Sequence, residues 1–182
     1  MQGFEDIRAA LGARPINIVR DTAAKRAAVS LILHPGGHIL MMRRQEREGD
    51  PWSGHMAFPG GRVESSDASL RAAAERETEE EVSIELPLVA EYLGRLSDLD
   101  HPRLVVSAFV YGLRKPVEPS GNHEVASLHW LALSSLRNPA NRGSLDYEYQ
   151  GQSMRFPSVR LDGMEIWGIS LQFLDDLDSR LF

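Results

Sequence analysis

Apolar positions follow two rhythms along the chain. Residues 27–33 form a nearly continuous apolar run broken only by Ser30, and residues 39–42 form a second. With the Pro35-Gly36-Gly37 turn between them, they predict a buried strand and its returning partner. Residues 88–96, 104–113 and 124–133 are three further strand candidates separated by turn formers. Residues 147–156 alternate loosely around Gly151, as a hairpin does, and residues 164–169 are apolar. Helical spacing governs the rest. Phe4, Ile7 and Leu11 predict an amphipathic helix over residues 4–13, with Pro15 just beyond. Asp67 reads as the N-cap of a helix running to about Val82, favoured by alanines at 68, 72, 73 and 74. Residues 134–137 suggest a helical turn, and residues 170–181 a terminal helix with Leu171, Leu174 and Leu177 on one side. Residues 43–54 are polar and rich in turn formers, hence a loop. With no repeat, linker or low-complexity tract, the pattern is one α+β domain over residues 1–182, its strands mostly antiparallel.

The middle helix breaks its own pattern. At ~100° per residue, Leu70, Ala74, Glu77 and Glu81 share a sector about 60° wide, with Glu80 and Ala73 alongside. The stripe that should face the core therefore runs from apolar residues into carboxylates. Residues 75–81 carry five Glu and one Arg; Glu77 and Glu81 repel at i,i+4, and several acids lie near the negative end of the helix dipole. Each penalty is only ~0.3–1 kcal/mol when exposed, which a solvated acidic face tolerates. Half-buried carboxylates are another matter, because they need a partner or a metal. Arg76, at i+4 to Glu80, offsets one acid. A divalent cation on Glu77, Glu80 and Glu81 resolves the rest, and all-oxygen ligands point to Mg²⁺ or Mn²⁺.

Composition narrows the chemistry further. The 182 residues include no cysteine, which excludes disulfides, thiolate metal sites and thiol nucleophiles. No apolar stretch approaches the ~20 residues of a membrane span, and the N-terminus has no apolar signal region, so a cytoplasmic setting is expected. The net charge of −6 argues against nucleic acid or an anionic membrane as partner. That charge is local. Residues 75–81 and 175–180 (three Asp, one Arg) account for all of it, leaving a neutral body with two acidic patches.

From Gly61 the chain reads Gly-Arg-Val-Glu-Ser-Ser-Asp67, then eight residues, then Arg76-Glu77-Thr78-Glu79-Glu80-Glu81-Val82-Ser83-Ile84. This resembles the Nudix box, G-x5-E-x7-R-E-U-x-E-E-x-G-U with U apolar, over about residues 60–84. Asp67 stands for the first Glu with one extra residue after it, Thr78 for an aliphatic residue, and Ser83 for the late Gly. The longer spacing after an Asp is similar to the coenzyme A pyrophosphatase branch of that family. So are Phe58-Pro59-Gly60-Gly61, with Gly54 upstream, and the run from Asp162 to Gly168. The upstream branch motif is incomplete: Arg43 and Arg47 fit loosely, and Asp50 stands where a basic residue is expected.

The resemblance implies a Nudix-type α/β/α sandwich with a mixed sheet and a catalytic loop–helix–loop. It also implies metal-dependent hydrolysis of a nucleoside diphosphate linked to another moiety. Coenzyme A or an acyl-coenzyme A would give 4′-phosphopantetheine and adenosine 3′,5′-bisphosphate; a nucleotide sugar, dinucleotide or oxidised nucleotide is the alternative. Carried over, Glu77 and Glu81 are metal ligands with Glu80 joining them, the Gly60 and Gly61 carbonyls complete the shell, and Arg76 orients a glutamate. The base for the attacking water is a box glutamate, Glu80, or else Glu124 at a strand start. Arg43 and Arg44, with Arg47, are suited to clamp phosphates; alternatively they pair with Glu46 and Glu48. His55 is placed to contact substrate and Trp52 to stack a base, whereas His123 and His129 read as structural. A non-catalytic binding module on the same fold is the competing class. The first and last helices offer a homodimer contact.

Overall fold

The computed structural model describes residues 3–20, 24–50, 52–101, 104–149 and 152–182. In chain order the elements are α1 (Phe4–Gly12), β1 (Lys25–His34), β2 (His38–Arg44), β3 (Met56–Ala57), β4 (Gly60–Arg62), α2 (Leu70–Val82), α3 (Leu86–Val89), β5 (Ala90–Arg95) and β6 (Leu99–His101). There follow β7 (Leu104–Leu113), β8 (Val125–Ala132), α4 (Leu133–Arg137), a 3-10 turn (Pro139–Asn141), β9 (Arg142–Tyr149), β10 (Gln152–Leu161), β11 (Met164–Trp167) and α5 (Gly168–Leu181).

Eight strands form one mixed sheet in the order β3-β2-β1-β7-β5, with β4 also on β1, β6 on β7 and β8 on β2. The expected antiparallel bias misses its centre, where β1 and β7 run parallel from Lys25↔Leu104 to Leu33↔Gly112. Both faces of that sheet are covered, which is why its strands read as continuous apolar runs rather than alternating ones. Ala28, Ile32, Leu40 and Met42 pack with Ala73 and Ala74 of α2 on one face. Leu31, Leu33, Ile39 and Met41 pack on the other with Ile7 and Leu11 of α1 and with Leu171, Phe173, Leu174 and Leu177 of α5. The second sheet, β11-β10-β9, closes that side through Val159 and Ile166. The expected α/β/α layering is what results. The apolar stripes of α1 and α5, offered above for a dimer contact, face this core.

Several boundaries differ from the sequence reading. Asp67 does not cap α2; Ser69 does, its Oγ accepting from the Ala72 N–H at 3.1 Å. Asp67 lies outside the helix because its carboxylate is engaged by Arg76 and by the Glu64 N–H. The first part of the 88–96 strand is the helical turn α3, with Pro87 at its start, where a missing N–H costs nothing. The two- and three-residue strands β3, β4 and β6 are too short to show a period. The hairpin expected around Gly151 is β9–β10, longer at both ends, and its tip lies outside the described residues.

Candidate active site

The loop from Phe58 to Arg62 lies against α2, and two glycines set how closely. Gly60, at φ +145°, sits where a Cβ would strike the backbone of Ala28 and Val29. Its N–H donates to Oε2 of Glu81 at 2.8 Å. At Gly61 a Cβ would fall 2.5–2.6 Å from the carboxyl group of Glu77. Gly61 thus leaves the space that Glu77 occupies. Ala73 and Ala74 bring the helix down onto β1, and Thr78 completes the contact. Its hydroxyl lies 2.9 Å from that of Ser30 and 2.6 Å from the Ala74 carbonyl, which Ser30 also reaches at 3.2 Å. A hydroxyl at this otherwise apolar box position is therefore matched by Ser30, the one polar residue in the β1 run.

This close seating buries acids. Glu81 is 3% exposed. Burial pushes its carboxyl up to about 7; the Gly60 N–H and Arg44 oppose this, and Glu77 and Glu124 add to it. Burial likewise raises Glu77, against the Arg76 guanidinium and with the repulsion of Glu80 and Glu124. Two carboxylates drawn out of water on one helix face, one of them accepting a hydrogen bond from a backbone amide, make a donor set that suits a hard divalent cation. Among the described residues no three acidic or histidine side chains already converge as a cage. Glu80 is the reason on the helix itself: it is turned outward to Arg76 Nη1 at 3.3 Å, with more than half its side chain exposed.

Arg76 ties the segment together. Its Nε and Nη2 grip Asp67 at 3.0 and 3.1 Å as a bidentate pair, Nη2 also donates to the Arg62 carbonyl at 3.1 Å, and Nη1 reaches Glu77 at 3.0 Å. These carboxylates raise the already high guanidinium pKa, and Arg76 holds Asp67 below its usual range. Arg76, expected to orient a glutamate, hydrogen-bonds Glu77 and Glu80 and pins the loop end to the helix.

The structure separates the arginines. Strand alternation puts Arg44 on the α2 face with Leu40 and Met42, and Arg43 on the other face with Met41. Arg44 Nη2 pairs with Asp50 at 3.0 Å, and its buried Nε has no hydrogen-bond partner among the described residues. Arg43 Nε donates to the Gly54 carbonyl at 3.2 Å, and Arg47 reaches Glu124 at 3.4 Å. Their partners are thus not Glu46 and Glu48. Asp50, which interrupts the basic motif, is the partner of Arg44 and also accepts from the Trp52 N–H.

Trp52 is half exposed and lies 6.1 Å from the His55 ring. His55, its pKa lowered by burial, packs edge-on to Trp167 at 4.9 Å and to Tyr147 at 5.8 Å. Phe156 lies 5.3 Å from Trp167. This aromatic group joins residues 52–55 to residues 147–167 of the second sheet, so no local pattern announces it. His129 pairs with Ser127 at 2.7 Å, and the exposed His123 lies 3.7 Å from Glu124.

The NUDIX domain profile matches residues 24–149. The "Uncharacterized Nudix hydrolase NudL" of Enterobacter sp. (strain 638) is 32% identical over 164 residues, which is 87% of this chain and 84% of that one. The "Uncharacterized protein C14C4.10c" of Schizosaccharomyces pombe is 38% identical over 113 residues, 56% of this chain, and the chain spans only 34% of that protein's length. Among solved structures, the NUDIX domain of Shewanella oneidensis NrtR complexed with ADP ribose superposes with a TM-score of 0.56 at 16% identity, covering 89% of this chain and 91% of that one.

Proposed function

This chain belongs to the NUDIX domain family, and from that premise we propose that it hydrolyses the pyrophosphate bond of a small nucleoside-diphosphate-linked substrate. The carrying observation is the carboxylate pair against the Gly60-Gly61 loop, Glu77 half-buried and Glu81 buried, with Glu81 pushed up to about 7. Glu77 and Glu81 would hold Mg²⁺ or Mn²⁺, with Glu80 joining once it leaves Arg76 and the Gly60 and Gly61 carbonyls nearby. When bound, the cation neutralises phosphate charge and lowers the pKa of water.

The remaining roles fall to the chain itself. Arg76 fixes Glu77 and the loop end, so the ligands are held before substrate arrives. Arg44, on the same face, is placed to take a phosphate oxygen with its guanidinium. Glu124, whose charge is felt by both Glu77 and Glu81, is the candidate base for the attacking water, with Glu80 as the other. In-line attack then needs positioning and electrostatics rather than a covalent intermediate. Residues 1–182 act as one domain, since α5 and the second sheet, mostly beyond the matched segment, share the core of the main sheet. We place the protein in the cytoplasm; no helix among the described residues is long and apolar enough to cross a membrane.

For the substrate we favour coenzyme A or an acyl-coenzyme A, cleaved to 4′-phosphopantetheine and adenosine 3′,5′-bisphosphate. Support comes from the Phe58–Gly61 segment and from the run 162–168, which carries Trp167 to His55. Trp52 and His55 then offer ring faces to the adenine. A second reading is ADP-ribose, the ligand of the Shewanella domain named above. A panel of coenzyme A, 3′-dephospho-coenzyme A and ADP-ribose with Mn²⁺, read by phosphate-product analysis, separates them. Coenzyme A is expected to be turned over fastest. Preference for ADP-ribose supports the second reading, and no product from any of them supports a non-catalytic binding module.

A further inference from the structure

The segment 120–125 lies across the C-terminal end of α2, and Asn122 in it is held through both its backbone and its side chain. The backbone N–H of Asn122 donates to the Glu81 carbonyl at 2.9 Å, and its Nδ2 donates to the Glu80 carbonyl at 2.9 Å. Its Oδ1 accepts the N–H of Glu124 at 2.8 Å, and its own carbonyl accepts from Val125 at 3.2 Å. The partners fix which end of the amide is which, since a carbonyl needs the NH₂ and an N–H needs the oxygen. Asn122 therefore joins the last turn of the acid-bearing helix directly to the backbone of Glu124. The carbonyl of Glu124 is held from the other side by the Gln45 N–H at 2.7 Å, and its carboxylate by Arg47.

We infer that Asn122 is a positioning residue: it locks the Glu124 turn to the two backbone carbonyls beneath Glu80 and Glu81, so that the acid on the turn and the acids on the helix keep one mutual geometry. This rests on the hydrolase reading above. It explains three things together. Helix C-termini carry free carbonyls and negative potential, an unfavourable place for acids, and two N–H donors from one residue relieve both at the turn that bears Glu80 and Glu81. Glu124 sits on a turn between a long loop and an edge strand, where an unrestrained carboxylate would sample many positions. The Asx turn removes that freedom. Its charge bears on both Glu77 and Glu81, so any drift changes the field in which those two work.

The test is a double-mutant cycle on the full chain, with Asn122→Ala, Glu124→Gln and both together. It measures kcat and KM for the best substrate, Mn²⁺ binding by calorimetry, and thermal unfolding. Asn122→Ala is expected to lower kcat by about 10-fold with KM within about twofold, because misplacing a reacting group acts mainly on turnover. Glu124→Gln added to Asn122→Ala is expected to cost much less than it does alone, the signature of residues acting through one another. Asn122→Ser keeps an oxygen for the Glu124 N–H and should recover most of kcat, although it loses the bond to Glu80. Mn²⁺ affinity should weaken in Asn122→Ala and recover in Asn122→Ser. Wild-type kcat in a folded Asn122→Ala protein, or strictly additive effects of the two substitutions, overturns the inference while leaving the hydrolase reading standing. A wild-type chain that neither binds Mn²⁺ nor hydrolyses the panel overturns both.

Discussion

Gly61 is where the geometry of the site is most sharply set, because Glu77 occupies the volume that any side chain there would fill. Gly61→Ala is expected to leave the fold intact but to cut hydrolysis by at least ~10-fold, since a ~1 Å displacement of a reacting group is expensive. Circular dichroism alongside steady-state turnover checks it, and unchanged turnover would count against the placement of Glu77. Thr78 and Ser30 make the complementary point in the core. Removing one hydroxyl strips a partner from the other, so Thr78→Val should lower stability by about 1 kcal/mol. Replacing both, as Ser30→Ala with Thr78→Val, should recover part of that loss, because a pair of apolar groups leaves nothing unsatisfied. Chemical denaturation of the three variants decides this. Thr78 could be seen in the sequence as a departure; its partner could not, because Ser30 lies 48 positions away.

The acidic helix was legible as an element, and its unusual feature was too. A wheel placed Glu77 and Glu81 on the stripe bearing Ala74, and in the structure Ala74 and Glu81 are buried and Glu77 half-buried. What a wheel cannot give is the fate of each carboxylate. Glu80 lies alongside the stripe yet faces Arg76, because a guanidinium held by Asp67 and the Arg62 carbonyl stands where Glu80 can reach it. The helix end held another surprise. Ser83 adopts the left-handed conformation usual for glycine at this position (φ 57°), and its Oγ donates to the Ser120 carbonyl at 3.1 Å. Relieving a strain of ~1 kcal/mol and losing one exposed hydrogen bond nearly balance, so Ser83→Gly should change stability by no more than about 0.5 kcal/mol either way. Turnover should stay at the wild-type level; a large loss in either assay would assign Ser83 a role beyond ending the helix. Elements with strong periods or long apolar runs were readable for the same reason they are stable. Short strands such as β3 and β4 exist only because neighbouring strands pair with them.

For the molecule as a whole, the mixed sheet puts the candidate metal ligands on one face. The α2 face carries Glu77, Glu81, Gly60 and Arg44, while the opposite face meets α1, α5 and the second sheet. Strand parity alone separates Arg43 from Arg44, a distinction that reading both as one basic cluster obscured. The aromatic group around His55 was invisible beforehand because its rings come from loop, hairpin and strand that only the fold brings together. A cation bound to the α2 face should stabilise the folded chain, by ~2.7 kcal/mol at a hundredfold excess over its dissociation constant. Thermal unfolding in Mn²⁺ should therefore show a clear rise in Tm for the wild type and none for Glu77→Ala with Glu81→Ala. An equal rise in that double variant would move the cation elsewhere.

The most direct measurement is turnover of Glu77→Ala and of Glu81→Ala, each at saturating substrate and Mn²⁺, beside the wild type. If these two carboxylates form the catalytic centre, both variants remain folded and lose roughly 10²-fold or more in hydrolysis. Near wild-type turnover in both would place the catalytic centre elsewhere.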